Sequence, residues 1–175
     1  MAEDANWYEA AFVVGISNAL NVTADGLATP DGRPLISPPE RSEVSSKVQT
    51  VYDEIRSFFA CSEVPLVFQM LARDPIYLSE FWEALQRAFS DNHLSRRLKE
   101  AVAFAVSLTT RSPFGTSLHL AQMKRLGVSD RGVMEIVGVT QMFSSYTKIA
   151  DTLQLEPDMG DIAPIDSSAP PVSGL

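Results

Sequence analysis

Residues 94–121, LSRRLKEAVAFAVSLTTRSPFGTSLHLA, decide the fold. Two helical patterns meet there at Ser112-Pro113. The first begins near Ser95, carries Glu100 and repeats Leu98, Val102, Ala105, Val106 and Leu108 at helical spacing. The second starts at Pro113, which suits a first helical turn, carries His119 and closes at Gly127, a natural C′ residue. Ser112 has the chemistry of an N-cap. The spacing therefore predicts a helical hairpin with one carboxylate and one imidazole on its two arms. Counting 1.5 Å per residue from the turn puts Glu100 about 18 Å and His119 about 10 Å away. That offset of some 8 Å favours a bridging water over direct contact.

Working outward, the helical pattern is nearly continuous. Trp7, Tyr8, Ala11, Phe12, Ile16 and Leu20 predict a first amphipathic helix over about 4–21. Glycines and prolines from Asn21 to Arg41 break it and predict a surface arm. Ser37 and Glu40 have the spacing of a capping box for the next helix, with Val44, Val48, Val51, Tyr52, Ile55 and Phe58 on one face. Pro65 restarts a short apolar helix. Asp74-Pro75 reads as N-cap and N1 of a helix through Ile76, Leu78, Phe81, Trp82, Leu85 and Phe89. Ser129 caps a last long helix through Leu153. Strand patterns and repeats are absent, and from Glu156 the Pro, Gly, Asp and Ser content predicts disorder. The expected organisation is a helix and arm over 1–41, an all-α domain over 42–155 and a disordered tail over 156–175.

Bulk properties narrow the function classes. With 175 residues, 45% hydrophobic and 21% charged, the chain has the profile of one soluble domain. A net charge of −8 argues against a nucleic-acid partner. The segment 96–131 nevertheless carries seven basic residues against two acidic ones. Either these make ordinary ion pairs, or they form a positive mouth for a small anion. One cysteine, Cys61, makes no intrachain disulfide. Glu3, Asp4 and Glu9 stand where a signal peptide would be cationic, and no stretch approaches the roughly twenty apolar residues of a membrane span. The expectation is a cytoplasmic protein without a membrane partner.

Glu100, an apolar helix, a helix-opening site at Ser112 and Gly115, then His119, together resemble the core of the alkyl hydroperoxidase D / carboxymuconolactone decarboxylase superfamily. The lead-in Leu94-Ser95-Arg96-Arg97-Leu98-Lys99-Glu100 and the segments Pro65–Ala72, Leu126–Ser129 and Ile149–Leu153 are similar to it as well. Tyr52–Arg56 and Trp82 bear a weaker likeness to group I haloacid dehalogenase modules. The resemblance implies an AhpD-like helical bundle that assembles as a homo-oligomer. It also implies a Cys-x-x-Cys pair whose thiolate reduces peroxide, with His and Glu relaying protons. Here Ser112 and Gly115 stand at the cysteine positions, and Phe114 stands where a Tyr or His often sits. A hydroxyl is a poor nucleophile and glycine offers none, so disulfide-based turnover is excluded at this site.

The remaining readings are two. One is an acid–base enzyme of lyase or hydrolase type acting on a small carboxylate-bearing molecule. It would use Glu100 and His119 as catalytic groups, with Arg111, Ser112, Phe114 and Gly115 binding the anion at a helix N-terminus. The other is a non-catalytic scaffold or binding protein in which Glu100 pairs with Arg96 or Arg97 and His119 is a core residue. Peroxidase activity through Cys61 is a weaker third. No metal-ligand spacing or cofactor motif is present, and the resemblance implies no cofactor.

Overall fold

Five helices begin at a side chain that closes an otherwise unsatisfied backbone amide. The computed structural model describes residues 2–29, 31–156 and 160. Its helices are α1 (Ala2–Leu27), α2 (Ser46–Phe59), α3 (Leu66–Leu71), α4 (Pro75–Phe89), α5 (Arg96–Thr110), α6 (Pro113–Arg125) and α7 (Asp130–Leu153), with a 3₁₀ turn at Arg41–Glu43. Ser45, Asp74, Ser95, Ser112 and Ser129 each accept from an amide two or three residues on. Such a cap stabilises its helix by about 1 kcal/mol. Gly127, with φ +81°, ends α6 as expected. The all-α expectation holds among the described residues.

Two boundaries differ from the sequence expectation. The Ser37–Glu40 box does not form: α2 starts at Ser46 under Ser45. Pro39 pushes Pro38 away from helical backbone, and the Glu40 amide that Ser37 would cap donates instead to Glu43 Oε2 at 2.9 Å. The Ser37 carbonyl instead accepts from Arg73 Nε at 2.9 Å. The first helix does not stop at Asn21 but continues to Leu27. Its inward stripe is Val13, Ile16, Ser17, Leu20, Asn21 and Ala24, whereas Trp7 and Tyr8 are exposed. The expected apolar repeat is therefore right at Ile16 and Leu20 and wrong at Trp7, Tyr8 and Phe12, which face outward.

The core lies where α1 and α5 cross the α2–α4 layer. Phe58, Phe59, Phe68 and Trp82 meet at centroid separations of 5.2–6.0 Å, several of them edge to face. Trp82 Nε1 donates to Glu54 Oε2 at 2.8 Å, so the indole is buried with its polar atom served. The α5–α6 hairpin packs under α1, and α7 packs mainly on α5. No residue of α7 is buried, and Met142, Phe143, Tyr146, Ile149 and Leu153 are exposed along it.

One expectation about length needs correcting. The segment Asp4–Leu27, with mean hydropathy 1.2, is long and apolar enough to cross a membrane by length and composition. Its inward stripe nevertheless lies against α5 within the bundle. The tail expected to be disordered falls outside the described residues from 157 onward, apart from residue 160.

Candidate acid–base site

Glu100 on α5 and His119 on α6 touch directly, Oε2 to Nδ1 at 2.7 Å, and both are almost fully buried. The expected bridging water is not needed. The axial count located Cα atoms only, and two side chains reaching obliquely across the hairpin close the offset. The second carboxylate oxygen, Oε1, accepts from Arg96 Nε at 2.7 Å one helical turn earlier. This is not the surface pair that spacing alone suggests, because the Arg96 side chain is only 12% exposed. Its guanidinium lies 3.8 Å from the Phe58 ring centroid. Phe89 stacks on His119 at 5.6 Å with a 10° interplanar angle.

A carboxylate held between a guanidinium and an imidazole accepts from both. Nδ1 of His119 is then the donor, which leaves Nε2 as the free nitrogen. Nε2 is buried and has no hydrogen-bond partner among the described residues, and the same holds for Nη2 of Arg96. Such atoms are rare in folded proteins, since a buried polar group without a partner costs about 1–3 kcal/mol.

The two cysteine positions are occupied in a specific way. A Cβ built on Gly115 would overlap the Asn21 amide oxygen and the Ser107 hydroxyl. Asn21 Nδ2 in turn donates to Ser107 Oγ and Thr110 Oγ1, each at 3.1 Å. Helix α1 thus lays an amide where a side chain at position 115 would stand. Ser112 Oγ accepts from Gly115 N at 3.2 Å, as an N-cap should, and donates to Asp25 Oδ1 at 3.2 Å. Ser112 and Gly115 are buried and already engaged by α1 or the helix cap. Asn21, Asp25 and Phe89 were missed as site residues. An Asn inside the apolar stripe Val13–Ile16–Leu20–Ala24 was the available signal, because an amide on a core face demands partners.

Arg111 and Phe114 lie apart from the pair. They border a cleft of about 580 Å³ between α1, α3 and the start of α6. A second cleft of about 600 Å³ is bordered by Tyr52, Arg56, Glu63 and Gln69. Glu100 and His119 border neither. The basic residues of 96–131 are mostly paired rather than massed at a mouth. Lys99 is fully buried between Glu9 and the Ser90 carbonyl, Lys124 meets Asp130, and Arg131 meets Glu135. Burial alone would raise the Glu9 carboxyl, but the Lys99 ammonium and the Leu94 amide outweigh it and hold Glu9 below the usual range. Burial pushes the Cys61 thiol up, which leaves less thiolate and weakens the case for it as a peroxide-reacting group.

No curated protein matches the chain. The model of the carboxymuconolactone decarboxylase family matches residues 76–155, the span from α4 through α7 that contains Glu100 and His119. Among solved structures, the alkylhydroperoxidase AhpD core from Rhodospirillum rubrum is similar. It is 21% identical with a TM-score of 0.66, over 73% of this chain and 96% of that one. Over residues 76–155 the chain is thus similar to the carboxymuconolactone decarboxylase family, and it shares the helical fold of the AhpD core, the two likenesses that define the AhpD-like / carboxymuconolactone decarboxylase-like superfamily.

Proposed function

We propose that the chain is an acid–base member of this superfamily in which His119 Nε2 exchanges a proton with a small molecule. The observation that carries this is the orphaned, buried Nε2 on an imidazole whose other nitrogen is fixed by Glu100. A carboxylate that orients one ring nitrogen and leaves the other free is the arrangement of a general base. Near neutral pH an imidazole takes up and returns a proton readily. Arg96 holds the carboxylate in place, and Phe89 fixes the plane of the ring. Proton transfer at carbon in a lactone or a decarboxylating acid requires no thiol, so the loss of both cysteines is compatible with it.

The test is proton exchange. Small carboxylates and lactones are incubated with the protein in D2O, and loss of their acidic C–H signals is followed by NMR. Exchange that disappears in His119→Gln and falls strongly in Glu100→Gln supports the reading. Absence of exchange across the panel, with both variants folded, refutes it.

A second reading has its own support. Asn21 fills the space beside Gly115, and neither of the two clefts described above borders His119. On that reading the Arg96–Glu100–His119 network holds helices together and the protein is a scaffold. For either reading we infer self-association through α7, whose apolar side chains are exposed among the described residues.

A further inference from the structure

We propose that the cleft beside Arg111 is a binding site for a small amphiphilic carboxylate, separate from the Glu100–His119 pair. The floor and walls are apolar: Ala24 and Ala28 at the end of α1, Leu66, Val67 and Met70 of α3, and Phe114 of α6. Its volume of about 580 Å³ lies within the roughly 300–1,000 Å³ of ordinary small-molecule sites. Such sites combine an apolar body with a few polar groups that fix orientation, and here the polar side chains are Thr29 and the charged Asp25 and Arg111.

The two charges are not equivalent. Asp25 already accepts the Ser112 hydroxyl at 3.2 Å. Arg111 makes no ion pair or side-chain hydrogen bond among the described residues. Arg111 also holds a left-handed backbone conformation (φ 59°, ψ 34°) as the C-cap of α5, where glycine or asparagine is the easier residue. An unpaired guanidinium at the edge of an apolar cleft matches a carboxylate on an apolar chain or ring. A guanidinium binds a carboxylate with two parallel hydrogen bonds, and the apolar body gains by leaving water. The carboxylate thus supplies the anion that Arg111 lacks among the described residues.

The experiment uses octanoate as the probe and octan-1-ol as its uncharged counterpart, with binding followed by calorimetry on the full chain. Arg111→Gly removes the charge and suits the left-handed backbone, so it keeps the fold. Leu66→Trp narrows the apolar part from the surface of α3. Octanoate is expected to bind saturably and more tightly than octan-1-ol. Arg111→Gly should weaken octanoate by about ten- to hundredfold and leave octan-1-ol unchanged. Leu66→Trp should weaken both. A failure of octanoate to saturate the wild-type protein, or equal octanoate affinity in wild type and Arg111→Gly, overturns the proposal. Melting curves on each variant exclude loss of fold as the cause. Because Glu100 and His119 do not border the cleft, failure here leaves the proton-exchange test untouched, and the converse holds too.

Discussion

Because α1 lays the Asn21 amide where a side chain at position 115 would stand, Gly115 and Asn21 must be energetically coupled. The perturbation is Gly115→Ala, alone and with Asn21→Ala. In a helix interior, alanine is worth about 0.5–1 kcal/mol more than glycine. Against that, the new methyl overlaps Asn21 Oδ1 and Ser107 Oγ. Neither neighbour retreats freely. Ser107 Oγ is bonded to the Ala103 carbonyl at 2.8 Å, and the Asn21 amide is tied to Ser107 and Thr110. Overpacking of this kind costs about 1–3 kcal/mol, and in the first turn of α6 the gain sits at the low end of its range, so the single change should destabilise by roughly 0.5–2.5 kcal/mol. Asn21→Ala alone loses two hydrogen bonds, one buried and one partly buried, a cost of about 1–3 kcal/mol. In the double variant the amide is gone, Ser107 is free to change rotamer, and the methyl introduced at position 115 fills part of the gap. The combined loss should then fall short of the sum of the two by about 1–3 kcal/mol. Urea denaturation followed by circular dichroism, with an unchanged slope, measures each corner of the cycle. Losses that add to within about 0.5 kcal/mol, or a Gly115→Ala variant as stable as wild type, would refute the packing argument.

Four further outcomes are expected. Glu100→Ala should cost about 3–5 kcal/mol in a urea melt by stranding Arg96, and the paired change Arg96→Met/Glu100→Leu should recover most of it. Glu9 has a depressed folded pKa, so its contribution is present above the unfolded value near 4.5 and is lost as pH falls through the folded one. Urea midpoints should therefore drop as pH falls below about 4.5, and less steeply in Glu9→Gln, because only the native carboxylate gains from Lys99. The raised Cys61 thiol should react with a disulfide reagent more slowly than glutathione does at about pH 8, and faster reaction would contradict its partial burial. Phe143→Lys on α7 should lower the mass measured by sedimentation without reducing helix content. An unchanged mass would show that this face carries no self-association.

Much of the fold was legible because it is written locally. Asp74-Pro75, Ser112-Pro113, Gly127 and Ser129 mark helix ends through bonds to amides a few residues away, and the structure uses each as the sequence suggests. The Glu100–His119 partnership was legible in outline, since a tight turn at Arg111-Ser112 fixes which residues of the hairpin face each other. Its direct contact was not, because side-chain reach across a helix pair depends on the packing angle. The rest was decided between elements distant in sequence. Which edge of α1 turns inward depends on what α5 offers it, and an apolar repeat that includes Trp7 and Tyr8 gives several acceptable answers. Asn21, far from Gly115 along the chain but beside it in the fold, settles that choice through Ser107 and Thr110. Likewise Arg96, Lys99 and Glu9 read as surface charges along the chain. Lys99 and Glu9 become a buried pair only once α1 covers α5, and Arg96 is covered by Phe58 of α2 and Phe89 of α4, because a charge leaves water only where a partner already waits.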